Sequence, residues 1–502
     1  MTVFLRAILA FAFFLGLAFS SVTALAATKV NFSGFYKIFH ENNVNFSRSV
    51  SNNNKDSQSF FWHRLQLVVD FAATENVNVR WVLRGPTAVR WGRVPTGRQG
   101  SRGDASTGYP YDVFTRAIYA TVKTDFGKFN LGRHNSGMVG TLAGLDTLGY
   151  APKYGDFLNN HVFDTNMTFD GITYQKKWDS GLGLNVIYVK ETGFDQGYEN
   201  EDKDVDKDRF GIEPFYLWDG GAASLNIEYS RDLSRFNNAT IGGNVYPVEK
   251  NWAFSLNPAL ILKFGDLSFH FEGKAAWGET VFRRFSNTPT APNLEANKAK
   301  DVGLGFYVDA VYKYGPGSVT LGGWYFDGND PTDPNEGGAP SPTRKTGHGL
   351  VGAGSFSPFL VAYAGSGLIG PGTSVNNLGL TGSGSPARFG LNNHWALAIF
   401  GDHSVAKDVK VRYGLGYFRL VNPLGRHLIG LDGAGNPILA DNSQDLGFEI
   451  DLGVITKLLD NVSFESHFGY FFNGSAFDQY NGTTAAKAKD TFAWANALIF
   501  TF

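Results

Sequence analysis

Arg64, Arg80 and Arg84 stand at every-other-residue spacing inside segments whose intervening residues are large and apolar. Leu65, Leu67, Val69 and Phe71 alternate with Arg64, Gln66, Val68 and Asp70, while Val77, Val79, Trp81 and Leu83 alternate with Asn78, Arg80, Val82 and Arg84. Arg116 heads a further segment of weaker alternation. A guanidinium keeps its charge at any physiological pH, so arginines gathered on one polar face form a positive wall. The glycine-rich stretch 135–164 supplies carboxylates of the opposite sign: Asp146, Asp156 and Asp164. A basic wall facing acids across a narrow aqueous gap makes a transverse field, which orders water and sorts solutes by size and polarity. The plainer use of the same arginines is to pair with neighbours such as Asp70 and keep a polar surface hydrated.

Other constellations are weaker. The run 202–208 places carboxylates at alternate positions, with Glu213 eleven residues after Asp202, in the manner of a calcium loop. Lys207 stands where such a loop needs its turn glycine, so a solvated loop is the better reading. The stretch 347–354 is glycine-rich but lacks the Gly-Lys-Ser/Thr of a phosphate loop. Glu449, Asp451, Glu465 and His467 alternate with apolar residues and balance the arginines. No Ser/His/Asp spacing, zinc-ligand set or nucleophile elbow stands out, and we expect no catalytic residue, metal or cofactor.

Composition narrows the class. The chain has no Cys, which excludes disulfide scaffolds and thiolate chemistry. A net charge of −2 gives no signal for a nucleic-acid partner. Its 61 Gly, 21 Tyr and 44 Phe point to a β-protein with aromatic surface bands. At the N-terminus Arg6, the apolar run 7–20 and Ala24-Leu25-Ala26 have the form of a secretory signal peptide, residues 1–26. That run is too short to cross a membrane as a helix, which takes about twenty residues. Residues 27–502 then read as one domain.

Alternating segments recur along that domain, eighteen in all, and the gaps between them alternate in length. Tight connections fall at 74–75, 179–180, 219–220, 265, 314–317 and 406–407. Long polar ones fall at 43–59, 90–111, 135–164, 194–206, 233–249, 279–301, 328–390, 422–443 and 474–488. An up-and-down transmembrane antiparallel β-barrel with short turns at one end and long loops at the other produces that order. We expect eighteen strands, with sixteen as the fallback. A charge facing lipid at the midplane costs about 2–4 kcal/mol, so the polar parity must face a wet lumen. The last segment obeys the same rule: Phe492, Trp494, Leu498, Phe500 and Phe502 share one face.

Two features resemble a known family. The sequence Gly127-Lys128-Phe129-Asn130-Leu131-Gly132-Arg133, following a strand and short turn, is similar to a segment of the Gram-negative general porins, and residues 169–174 resemble the family's returning strand. The terminal Phe502 resembles the residue that the barrel-assembly machinery reads. The resemblance implies an outer-membrane location, contact with lipid and lipopolysaccharide, a homotrimer, and passive diffusion of small hydrophilic solutes. It also implies that the third loop, 135–164, folds inward as a constriction and that Arg133 joins the wall of Arg64, Arg80, Arg84 and Arg116. Arg133 shares its parity with Phe129 and Leu131, so it reaches the lumen only if the strand ends or bulges there. General porins usually have sixteen strands. A substrate-specific eighteen-stranded channel for sugars or organic acids is the first alternative, with Trp324 and Phe326 as its one suggestive aromatic pair. A non-conducting barrel for adhesion or anchoring is the second. The apolar run from Phe359 to Ala362 is expected to fold over the mouth or against a neighbouring protomer, and Ala117 and Gly323 are small residues suited to contact between barrels.

Overall fold

The computed structural model describes residues 29–44, 58–90, 114–135, 168–192, 207–232, 238–241, 244–282, 298–327, 359, 393–423, 426–431, 437–481, 484–487 and 489–502. The expected signal peptide, the body of the third loop and Asp146, Asp156 and Asp164 lie outside them.

Eighteen strands form the wall. The first nine are β1 (Lys29–Val44), β2 (Gln58–Ala72), β3 (Val77–Arg90), β4 (Phe114–Thr124), β5 (Gly127–Asn135), β6 (Thr168–Lys177), β7 (Leu182–Thr192), β8 (Lys207–Trp218) and β9 (Gly221–Asp232). The rest are β10 (Asn244–Phe264), β11 (Leu267–Phe282), β12 (Lys298–Tyr314), β13 (Gly317–Phe326), β14 (His394–Ala406), β15 (Val409–Leu420), β16 (Asp445–Leu459), β17 (Val462–Asn473) and β18 (Thr491–Thr501). Each is antiparallel to its sequence neighbours, and β1 pairs with β18 from Phe35↔Thr501 to Val44↔Phe492. The sheet is therefore a closed eighteen-stranded barrel. At the seam the Gly34 and Phe502 backbones exchange hydrogen bonds of 2.8 and 3.1 Å. Short paired strands outside the wall (238–241, 426–431 with 437–441, 479–481 with 484–486) decorate the long connections, and the described helix is one 3-10 turn, Ser475–Phe477. No described helix is long and apolar enough to cross a membrane; the crossing is made by strands.

Period two separates two environments. Outward positions carry exposed large apolar residues, among them Leu304, Leu321, Leu397, Leu415, Ile450 and Leu452. Inward positions carry Glu228, Glu272, Asp309, Arg412 and Glu449. Two prolines lie on the outward parity where the ladder is interrupted: β8 skips Pro214 in its pairing with β9, and β10 skips Pro258 in its pairing with β11. Proline has no N–H to give a ladder. Beside the gap, the Asn257 side chain donates to Ser255 Oγ (3.2 Å) and reaches Asn226 O (3.5 Å) on the opposite neighbour β9, whose pairing through Pro258 is unbroken.

Gly447 marks an irregularity between β15 and β16, where Phe418 pairs with Gly447 and Arg419 with Asp445. Its φ is +104°, and a Cβ there would lie 2.7 Å from Gly474 N and run into Phe472 O. Gly430, with nothing within 4 Å of an added Cβ, is the matched control. Gly447→Ala is expected to lower stability by roughly 1–3 kcal/mol, seen as a lower thermal unfolding midpoint in detergent, with Gly430→Ala near the unmodified value.

Candidate functional site

The inner wall gathers four of the five arginines that the sequence singles out, and bulges do much of the gathering. β2 and β3 shift register on both sides of Arg64, which pairs with Thr87 while His63 pairs with Val89 and Leu65 with Gly85. β3 and β4 shift again: Val82 pairs with Ala117 and Leu83 with Thr115, leaving Arg116 as the extra residue. A bulge bends its strand and re-aims side chains. Arg64 and Arg116 both act electrostatically on Arg84, whose Nη2 and Nε bond Gln66 Oε1 at 2.8 and 3.2 Å. Arg80 is different, since it grips Asp70 through two bonds of 2.7 and 2.9 Å and is locally neutralised. Lys37 joins the basic arc from β1, in register with Arg64 and over the Phe35 ring at 4.5 Å.

Arg133 departs from this wall. It pairs across with Ile118 and Asp170, and its Nη2 contacts Asp170 Oδ2 at 3.3 Å on the outward face. The inward parity of β5 belongs to Asn130, Gly132 and His134, so neither a bulge nor a strand end turns Arg133 toward the lumen. Ala117 faces inward, paired with Val82 and buried, and not outward as its size suggested. Of the run 202–208, residues 202–206 lie outside the described residues. Asp208 projects outward on β8 and Glu213 inward, and the two cannot share a cation.

Acids that face the basic arc come from strands the sequence reading passed over. Nine steps around the eighteen-strand circuit lead from β2 to β11 and from β3 to β12, which puts the two pairs on opposite sides of it. There Glu272 and Asp309 line the inner wall, with Glu213 on β8 and Glu228 on β9 nearer along the circuit, all buried. Asn185 donates to Glu213 (2.9 Å), Arg209 pairs with Glu228 (3.2 Å), and Asp309 takes His270 Nδ1 and Tyr307 OH at 2.5 Å each. A second acidic group, Glu449, Asp451 and Glu465 with His467, lies on β16 and β17, and Glu465 is 3.4 Å from His467. Buried charges persist only where partners replace lost hydration, and these networks supply the partners. Period-two placement of Glu228, Glu272 and Asp309 was the signal available in the sequence.

Between these charged arcs runs an aromatic surface. Tyr307, Trp324, Phe326, Phe400, Phe418 and Phe471 occupy inward positions of β12–β15 and β17 and are buried. Phe359, from the connection between β13 and β14, seats among them with 1% exposure. Its ring centroid lies 5.5 Å from Phe418, 6.3 Å from Phe400 and 6.4 Å from Trp324. Gly414 and Gly416 make room, and a Cβ at Gly416 would sit 2.8 Å from the ring. The run beginning at Phe359 was expected over the mouth or on a neighbour; its first residue is seated on the inner wall, and residues 360–362 lie outside the described residues. The aromatic pair Trp324 and Phe326 proves to be part of a larger set.

No family model and no curated protein matches the sequence. Among solved structures, the chain is similar over 95% of its length to all of OmpT, an outer membrane protein of Vibrio cholerae in a trimer form (12% identity, TM-score 0.41). It is also similar to Pseudomonas aeruginosa OccK11 (10% identity, 94% of this chain and 96% of that one, TM-score 0.46). A third likeness is to Pseudomonas aeruginosa OpdQ (12% identity, 94% and 97%, TM-score 0.46).

Ala398 lies in register with Gly416 on the inward face and is buried. A cysteine at Ala398 is expected to react slowly with a water-soluble maleimide, and many-fold faster once Phe359→Ala removes the ring above the neighbouring glycine.

Proposed function

We propose that this chain is an outer-membrane channel that lets small hydrophilic solutes and ions cross passively through its lumen. The observation carrying the proposal is the division of parities: charged and polar side chains inward on nearly every strand, large apolar ones outward. In a membrane, that division supports a hydrated path. Of the two channel readings, the inner wall favours a restricted pathway over a wide sieve. Glu272 and Glu449 are fully shielded, and Phe359 fills space beside Trp324. A solute on this path passes cations on β1–β4 and lies opposite the buried, hydrogen-bonded carboxylates of β8–β12, which favours small polar or charged molecules such as organic acids. Barrel assembly through Phe502 and contact with lipopolysaccharide belong to the same proposal.

Liposome swelling with sugars and organic acids of matched size tests the distinction, because rates that follow size alone would favour the general sieve. Planar-bilayer recordings test the channel itself, and electrical silence would overturn it. Arg84 and Arg116 are the members of the wall to change, since removing Arg80 would expose Asp70. Arg84→Ser with Arg116→Ser is expected to shift the reversal potential toward cations in dilute salt. The shift should shrink near 1 M salt, where the screening length falls to about 3 Å. An unchanged potential would leave the arginines a solvating role only.

A further inference from the structure

Phe359 fills a seat that the wall builds from three adjacent rows of inward residues. The middle row runs Asp309, Gly322, Ala398, Gly416 and Glu449 across β12–β16, each in register with the next. The row on one side carries Tyr307, Trp324, Ala396 and Phe418, and the row on the other carries Thr320, Phe400, Gly414 and Asp451. Small residues thus make a floor, and aromatic rings stand on both sides of it. Gly414 and Gly416 lack the positive φ that explains Gly220 and Gly265. Glycine inside a strand weakens it and marks a close approach by another group. Here that group is the Phe359 ring, 3.1 and 2.8 Å from where the two missing Cβ atoms would stand.

Phe359 differs from the rings around it. Trp324, Phe400 and Phe418 are fixed by ladder register, and the Trp324 Nε1–H donates to His394 Nε2 at 3.3 Å, which holds the indole further. Phe359 comes from the connection between Phe326 and His394 and has no place in the ladder. The three rings therefore keep the shape of the seat without it. Their centroids stand 6.4, 6.3 and 5.5 Å from that of Phe359, close to the ~6 Å within which an aromatic ring attracts a cation.

Charge points the same way. Across β12–β16 the three rows carry Asp309, Glu449 and Asp451 but no lysine or arginine, and Arg412 stands one inward position further along β15. Asp309 is taken up by His270 and Tyr307 at 2.5 Å each. Glu449 pairs across with Gly416 and Asp451 with Gly414, so both carboxylates border the floor. They make contacts of their own. A cation in the seat would feel their field in a buried setting, where charges act more strongly than in water.

We propose that the seat is a binding site for a methylated ammonium group, of the kind choline carries, and that Phe359 occupies it as a neutral surrogate. An aromatic carboxylate would match the rings and be repelled by the acids. A bare ammonium would match the acids and lose its hydration against the rings. A methylated ammonium has an apolar surface and a positive charge, and it suits both. The site is a property of the wall and stands whether or not the barrel conducts.

Equilibrium dialysis of the full chain in mild detergent tests the site, with choline, its neutral isostere 3,3-dimethylbutanol and benzyl alcohol as probes. Phe359→Ala is expected to bind choline roughly ten-fold or more tightly than the neutral isostere. The unmodified protein should bind choline more weakly than Phe359→Ala does, because its own ring holds the seat and only the vacated fraction is competent. Gly416→Leu added to Phe359→Ala refills the seat from the wall and should abolish choline binding. Asp451→Asn added to Phe359→Ala should narrow the gap between choline and the isostere. Heat-modifiable gel migration reports an intact barrel in each variant. Equal binding of choline and the isostere by Phe359→Ala, binding of benzyl alcohol alone, or no binding of any probe overturns the proposal. Choline binding that survives Gly416→Leu in an intact barrel overturns it as well.

Discussion

A peptide N–H or C=O left without a partner in hydrocarbon costs several kcal/mol, and water is not there to supply one. One unpaired strand edge in lipid would therefore cost more than the whole net stability of an ordinary domain, about 5–15 kcal/mol. The seam between β1 and β18 removes that edge, down to the exchange of hydrogen bonds between Gly34 and Phe502. Everything else in the molecule is conditional on it. A closed ladder fixes the parity of every residue, and parity then decides whether a side chain meets lipid or lumen.

The strand count was legible because the two ends of the barrel obey different rules. Turns such as 219–220 and 265 need only reverse the chain, and positive φ at Gly220 and Gly265 does so in the fewest residues. Strand ends beside the long connections were less legible. β10 begins at Asn244 and β12 at Lys298, several residues before apolar alternation starts. Pairing there continues past the last apolar outward position, so the ladder persists while the hydrophobic signal that reveals it does not.

The inner wall was legible one strand at a time and illegible across the barrel. Arg64, Arg80 and Arg84 could be assigned inward from their own segments. Nothing in any one segment says that Glu272 and Asp309 stand opposite them; that follows from closure of eighteen strands. The seat of Phe359 lay further out of reach, because it depends on Gly414 and Gly416 presenting no side chain to the same point in space. In both cases the missing information is a distance between residues far apart in sequence. Arg133 shows the converse: parity read from Phe129 and Leu131 was sound, and analogy pointed the wrong way.

Strict period two also limits what a barrel can build inside. Along a regular strand, inward side chains are two residues apart and cannot crowd onto a single point of the lumen. A bulge relaxes this by inserting a residue that has no partner, bending the strand and re-aiming its neighbours. The irregularities in the first four strands fall at Arg64 and Arg116, the two residues whose charges bear on Arg84. Three guanidiniums held together repel one another, so the arrangement does nothing for stability by itself. It is maintained by the closed ladder of the wall, and the bulges concentrate positive charge at one level instead of spreading it along the strands.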